Sequence, residues 1–203
     1  MNTKRFLVPA LTSALLIAAG CQSGSQQTSV KPPPMADAKP VQQVAVPSQS
    51  SMPALPVIRI KAGQSAIKDS TGVDWLGDSG FEGGDVIERP DLQIANVKSP
   101  EIYRSEHYSM DSFAYKLPNG KYQVKLHFCE TYEGITGPGE RVFSFDVEGR
   151  VFKDFDVWAK SGGFARAYVE TVPVEIADSK LDIKFTPNVE NPQINGIEII
   201  PVQ

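Results

Sequence analysis

Tyr122, Val124, Leu126 and Phe128 alternate with Gln123, Lys125 and His127, the two-residue period of a half-buried strand. Phe143, Phe145 and Val147 alternate with Val142 and Ser144 in a second strand. Between the two runs lies a glycine-rich turn, Gly134 to Gly139, and Tyr132 stands where the first strand gives way to it. Further strand signals cover Val57–Ile60, Phe113–Leu117, Val151–Val157, Ala167–Ile176, Leu181–Phe185 and Ile194–Ile200. Turn chemistry separates them at Pro118-Asn-Gly120, Glu148-Gly149, Ser161-Gly-Gly163, Ala177-Asp-Ser179 and Asn188 to Pro192. No segment carries a sustained helical period with caps. Short strands with regular turns predict an all-β domain, a β-sandwich of two antiparallel sheets. Lys61 to Glu101 is less regular and rich in Gly and Asp, and is expected to form long loops over one end of the sandwich.

The N-terminal part of the chain has a different pattern. Lys4 and Arg5 precede an apolar run, Phe6 to Ala19, that is short for a bilayer span. It ends in Ala18-Ala19-Gly20-Cys21, which resembles a bacterial lipoprotein processing site. Residues 1–20 are therefore expected to be a signal peptide and Cys21 a lipidated N-terminus. Several acyl chains on one cysteine anchor stably where a single chain does not. Gln22 is not the aspartate that favours inner-membrane retention in such lipoproteins, so the expected location is the cell envelope, on the outer rather than the inner membrane. Residues 21–56 hold seven prolines, from Pro32 to Pro56, with many Ser and Gln and no aromatic. Such a segment buries too little apolar surface to fold and reads as a tether. A flexible tether of that length averages roughly 30 Å end to end. The folded domain is expected over residues 57–203.

The formal net charge is −4, and removal of Lys4 and Arg5 takes it to −6. Scattered cations in an acidic chain leave no electrostatic footprint for nucleic acid. With Cys21 lipidated, Cys129 remains alone and reads as a small buried side chain in its strand. Only two histidines are present and no Ser-His-Asp signature. Glu130, Glu133 and Asp146 supply conceivable carboxylate pairs for glycoside hydrolysis, but 24 acidic residues generate many such pairs and none is singled out. The expected activity is therefore non-enzymatic. Asp69, Asp74, Asp78 and Asp85 do not match a calcium-loop spacing, and turn chemistry accounts for them; no cofactor is expected, although a structural calcium is conceivable there.

Sugar recognition needs flat apolar faces beside planar polar groups. Tyr103, His107 and Tyr108 flank Ser105-Glu106 before a strand, Tyr132 and Glu133 end another, and Glu190 and Asn191 precede Pro192 in the last loop.

Seven pieces of the chain, in order, resemble the malectin domain. They are Arg59-Ile-Lys-Ala-Gly63, Trp75 to Gly84, Ile102-Tyr-Arg-Ser-Glu-His-Tyr108, Leu126-His-Phe-Cys-Glu-Thr-Tyr132, Gly139-Glu-Arg-Val-Phe143, Phe152 to Val157 with Gly162-Gly163, and Asn191 to Ile199. The resemblance implies a jelly-roll or galactose-binding-like sandwich that binds carbohydrate without hydrolysing it. It places Tyr108 and Tyr132 on two of the family's stacking aromatics. A third aromatic is replaced by Glu133, the aspartate before Asn-Pro is Glu190, and a further early-loop tyrosine has no counterpart between Gly77 and Asp91. The expected sugar-binding set is thus Tyr108, Tyr132, Glu133, Glu190 and Asn191, with a neutral glycan as ligand. The alternative is a structural or protein-interaction module with an envelope protein as partner and a degenerate sugar site.

Overall fold

The computed structural model describes residues 55–202 together with Ser29. The signal segment, Cys21 and nearly all of the tether lie outside the described residues. Among the described residues there are twelve strands: β1 (Ile58–Lys61), β2 (Ile67–Lys68), β3 (Asp74–Trp75), β4 (Phe81–Glu88), β5 (Ser105–Lys116), β6 (Gly120–Phe128), β7 (Val142–Val147), β8 (Arg150–Phe155), β9 (Tyr168–Ile176), β10 (Lys180–Val189), β11 (Gln193–Ile194) and β12 (Gly196–Pro201). A 3₁₀ turn spans Pro100–Tyr103, and among the described residues a single short helix, α1, spans Val157–Ser161.

One sheet has the order β1-β12-β6-β9 and the other β11-β5-β10-β7-β8, with β4 on the free side of β5; β2 and β3 form a small ribbon. All pairings between these strands are antiparallel. The chain is a β-sandwich, as the strand pattern predicts. Tyr122, Val124, Leu126 and Phe128 from one sheet and Phe143, Phe145 and Val147 from the other are buried between the layers. Phe128, Phe143, Phe145 and Phe155 pack ring against ring, with centroids 4.9–6.2 Å apart. Each ring taken out of water contributes about 1.5–3 kcal/mol.

Three expectations need correction. The stretch expected to be all loop, Lys61 to Glu101, contains the eight-residue β4. Its side chains are mostly exposed because it is an edge strand, and Gly83-Gly84 with flanking acids hide it from a propensity reading. Gly84 has φ +79, and a Cβ there would lie 2.3 Å from the Tyr108 carbonyl oxygen, so the close pairing of β4 with β5 requires glycine. The run expected as one strand from Val151 to Val157 stops at Phe155. Asp156 then caps α1 by accepting a 2.9 Å hydrogen bond from the Ala159 N–H. The run Ile194–Ile200 is divided at Asn195, where the chain passes from one sheet to the other. The Asn195 amide donates to the carbonyls of Ser105 and Tyr103, at 2.9 and 3.3 Å, and pins the crossing.

Two connections build the rim of one end. β6 lies in the four-stranded sheet and β7 in the larger one, so residues 129–141 must cross over the end of the sandwich and carry Tyr132 with them. β11 pairs with the first half of β5, setting Gln193 opposite Tyr108 and bringing residues 190–192 beside it.

Candidate functional site

A cavity of about 280 Å³ opens at that end, near the lower limit of roughly 300–1,000 Å³ for ligand pockets. Tyr108 from β5, Tyr132 from the β6–β7 crossing, and Glu190 and Asn191 from the turn before β11 all line it. Four residues expected to bind sugar thus meet, although they lie as much as 83 positions apart in the sequence. Glu133 does not line this cavity; it is exposed and borders two adjoining clefts. The reason is strand-end geometry: Tyr132 and Glu133 are consecutive and diverge as the chain turns.

Tyr132 is 49% exposed, yet it is held. Its N–H donates to Glu130 Oε1 at 3.0 Å, and its ring lies so close to Gly134 that a Cβ there would come within 2.5 Å of it. Ser109 and Glu190, both next to the cavity, take left-handed backbone conformations with φ 59°, a cost of order 1 kcal/mol each that is concentrated at functional sites. The Ser109 N–H donates to the Pro192 carbonyl at 2.9 Å and ties the two segments together.

The floor of the cavity is built from buried charges. Arg141 donates through Nε to Glu130 Oε2 at 2.8 Å and through a terminal nitrogen to the Asn191 carbonyl at 2.6 Å. Glu130 is 0% exposed, and burial pushes its carboxyl above the ordinary value while Arg141 partly offsets that. Beside this pair, Arg89 contacts Glu106 at 3.2 Å and Thr131 Oγ1 at 2.9 Å, and Thr131 donates to Glu106 Oε2 at 2.7 Å. Both arginines are therefore spent on carboxylates. The cavity offers hydroxyl-sized donors and acceptors around two aromatic rings without a free cation from its floor.

Arg89, Glu106, Glu130, Thr131 and Arg141 were not among the expected site residues. Glu106, Glu130, Thr131 and Arg141 lie inside pieces of the chain that resemble the malectin domain, whereas Arg89, just past the end of β4, carries no such signal. Glu130, weighed as a hydrolase carboxylate, is ion-paired beneath the surface, and Asp146 sits mid-sheet opposite Lys184 and Val151. Tyr103 and His107 do not reach the cavity. Tyr103 is buried and hydrogen-bonds His127 Nδ1 at 2.7 Å. His107 lies between Asp78 and the Gly83 carbonyl, both at 2.9 Å, and stacks on Phe81. Burial acts to lower its pKa, but these two hydrogen bonds outweigh it and raise the imidazole.

Cys129 is buried, and burial followed by the nearby Glu106 and Glu130 charges pushes its thiol up. His127 cannot serve it as a base, because Tyr103 and Glu198 occupy both ring nitrogens. Asp69 accepts from Thr71, Val73 and Trp75, and Asp78 from Gly63 and His107. Among the described residues no group of three or more His, Cys, Asp or Glu side chains is placed to hold a metal.

The Malectin domain family model matches residues 56–197. A kinesin-like protein, KIN-14E of Oryza sativa, is 31% identical over 153 residues, 70% of this chain and 14% of that protein. Malectin-B of Xenopus laevis is 32% identical over 94 residues, 44% of this chain and 33% of its own length. The chain therefore spans no more than about a third of these curated relatives. Among solved structures, a beta-glucuronidase of Bacteroides uniformis superposes with a TM-score of 0.66 at 18% identity, over 73% of this chain and 18% of that one. At that identity the likeness shows the fold alone.

Proposed function

The chain belongs to the malectin-domain family, and from that premise we propose that it binds a neutral glycan, a glucan or similar oligosaccharide, without hydrolysing it. The observation that carries this reading is the convergence of Tyr108, Tyr132, Glu190 and Asn191 on one cavity. Tyr108 and Tyr132 supply ring faces for the C–H side of a pyranose. Glu190 accepts hydroxyl hydrogen bonds, and Asn191 both donates and accepts them. Arg89 and Arg141 hold this geometry rather than the ligand, since Glu106 and Glu130 already engage them. A hydrolase would need two carboxylates flanking the bond, one with room for substrate or water; Glu130 is engaged by Arg141 and Glu106 by Arg89 and Thr131, which leaves Glu190 alone among the cavity carboxylates and supports binding.

In this reading residues 57–203 form the binding domain, residues 21–56 tether it, and lipid on Cys21 anchors it in the cell envelope. The alternative, a module for an envelope protein partner, would be favoured by a contiguous apolar face away from Tyr132. Exposed apolar side chains away from Tyr132 include Leu76, Val86, Val151, Val169 and Val189.

A glycan-array screen of the protein beside its Tyr132→Ala variant tests the proposal. Selective retention on neutral glycans, lost in a folded variant, is the expected result; silence across a broad array from folded protein overturns it.

A further inference from the structure

One cleft adjoins the cavity and a second adjoins that cleft. The first, of about 460 Å³, shares Arg89 and Tyr132 with the cavity and extends to Asp91 and Glu133. The second, of about 230 Å³, begins at the same Glu133 and is lined by Ile135, Thr136, Trp158 and Phe164. Shared residues link the three in series, Arg89 and Tyr132 joining the cavity to the first cleft and Glu133 joining that cleft to the second, with an aromatic surface at each end and carboxylates between. The far aromatics are half-buried.

The far platform is fixed to the near one. α1, which carries Trp158, is capped by Asp156 at its start and by left-handed Gly162 at its end, whose N–H bonds the Trp158 carbonyl. The other carboxylate oxygen of Asp156 accepts the Gly139 N–H at 2.6 Å, joining the helix to the crossing that bears Tyr132. Next to Phe164, the Ala165 N–H donates to the Glu130 carbonyl at 2.8 Å. Glu130 therefore positions Tyr132 through its side chain and Phe164 through its backbone.

We infer that the ligand is an oligosaccharide longer than a disaccharide, whose first units enter the cavity between Tyr108 and Tyr132 and whose continuation runs past Glu133 onto Trp158 and Phe164. This rests on the carbohydrate reading above. The linkage of the clefts in series selects further units of the same glycan as the occupant. Asp91 and Glu133 along the path accept hydroxyls and repel acidic sugars.

The test is calorimetric titration of the full chain with α- and β-linked neutral glucans of two and six units. One added aromatic contact is worth roughly tenfold in affinity. The six-unit glucan of the preferred linkage is expected to bind about tenfold tighter than the two-unit one. Trp158→Ala should erase that gain while leaving two-unit binding unchanged, which also shows the variant is folded; Tyr132→Ala should weaken both lengths. Equal affinity for both lengths in the native chain, or a length gain that survives both Trp158→Ala and Phe164→Ala, overturns the extended site alone. Failure of both lengths to bind overturns the carbohydrate reading and this inference with it.

Discussion

Between the sheets Phe128, Phe143, Phe145 and Phe155 exclude water by packing ring on ring. Toward one end of the sandwich, Glu106 on β5 and Glu130 and Arg141 in the β6–β7 crossing are as well hidden, but by pairing charge with charge. The two regions differ in what they tolerate. A ring exchanged for a smaller apolar group leaves a void that neighbours partly fill. A charge stripped of its partner leaves an ion stranded out of water, and nothing nearby relaxes to relieve it. The phenylalanines stabilise the fold by burial, whereas the paired charges fix the positions of Tyr132 and Asn191 at the rim.

The sharpest way to break the comparison is Arg141→Met. It strands Glu130 and is expected to cost about 3–5 kcal/mol in urea denaturation. A combined Glu130→Met and Arg141→Met chain should recover much of that loss while glycan retention stays abolished; restored binding would show that the pair does not set the site. In the aromatic region, Phe145→Leu is expected to cost only about 1–2 kcal/mol and leave glycan affinity unchanged. Gly134→Ala should reverse that ratio, with less than about 1 kcal/mol of stability lost but roughly tenfold weaker binding, because the added methyl displaces the Tyr132 ring.

The smallest effect concerns two buried carboxylates and pH. Burial alone would raise Asp69, but hydrogen bonds from Thr71, Val73 and Trp75 outweigh it and lower its pKa from 3.8 to about 2. Its stabilisation is thus present above 3.8 and lost as pH falls toward 2. Glu130 is shifted the other way, above 4.5. The folded state keeps a proton that the unfolded chain has released, so stability declines as pH rises through that window. Stability measured against pH should flatten below pH 4 in Asp69→Asn and above about pH 4.5 in Glu130→Gln; identical profiles would show that neither group titrates as its surroundings dictate.

The apolar half of this comparison was legible in the sequence and the polar half was not. Alternation at Tyr122–Phe128 and Phe143–Val147 identifies the inward faces directly, because apolar burial is written in residue type. Arginine and glutamate read as surface residues by type, and only the crossing of 129–141 puts Arg141 over Glu130, as only the register of β11 on β5 brings Asn191 within its reach. Tyr108, Tyr132, Glu190 and Asn191 could be nominated singly from their places at strand ends and from family resemblance, but their meeting depends on the same register. Glu133 was nominated with them and faces the neighbouring clefts instead. β4 escaped notice because an exposed edge strand has no buried face to imprint a period. Five residues of helix are likewise too few to show one.

The position of β12 has a consequence for how the molecule is assembled. It lies between β1 and β6, with Ile58 opposite Ile199, so the first strand of the domain has no partner in its sheet until the last has arrived. Closing contacts of such long sequence separation is entropically slow. Nearly the whole domain must therefore be available to the folding reaction at once, and loss of the last few residues would remove the centre of a sheet rather than trim its edge.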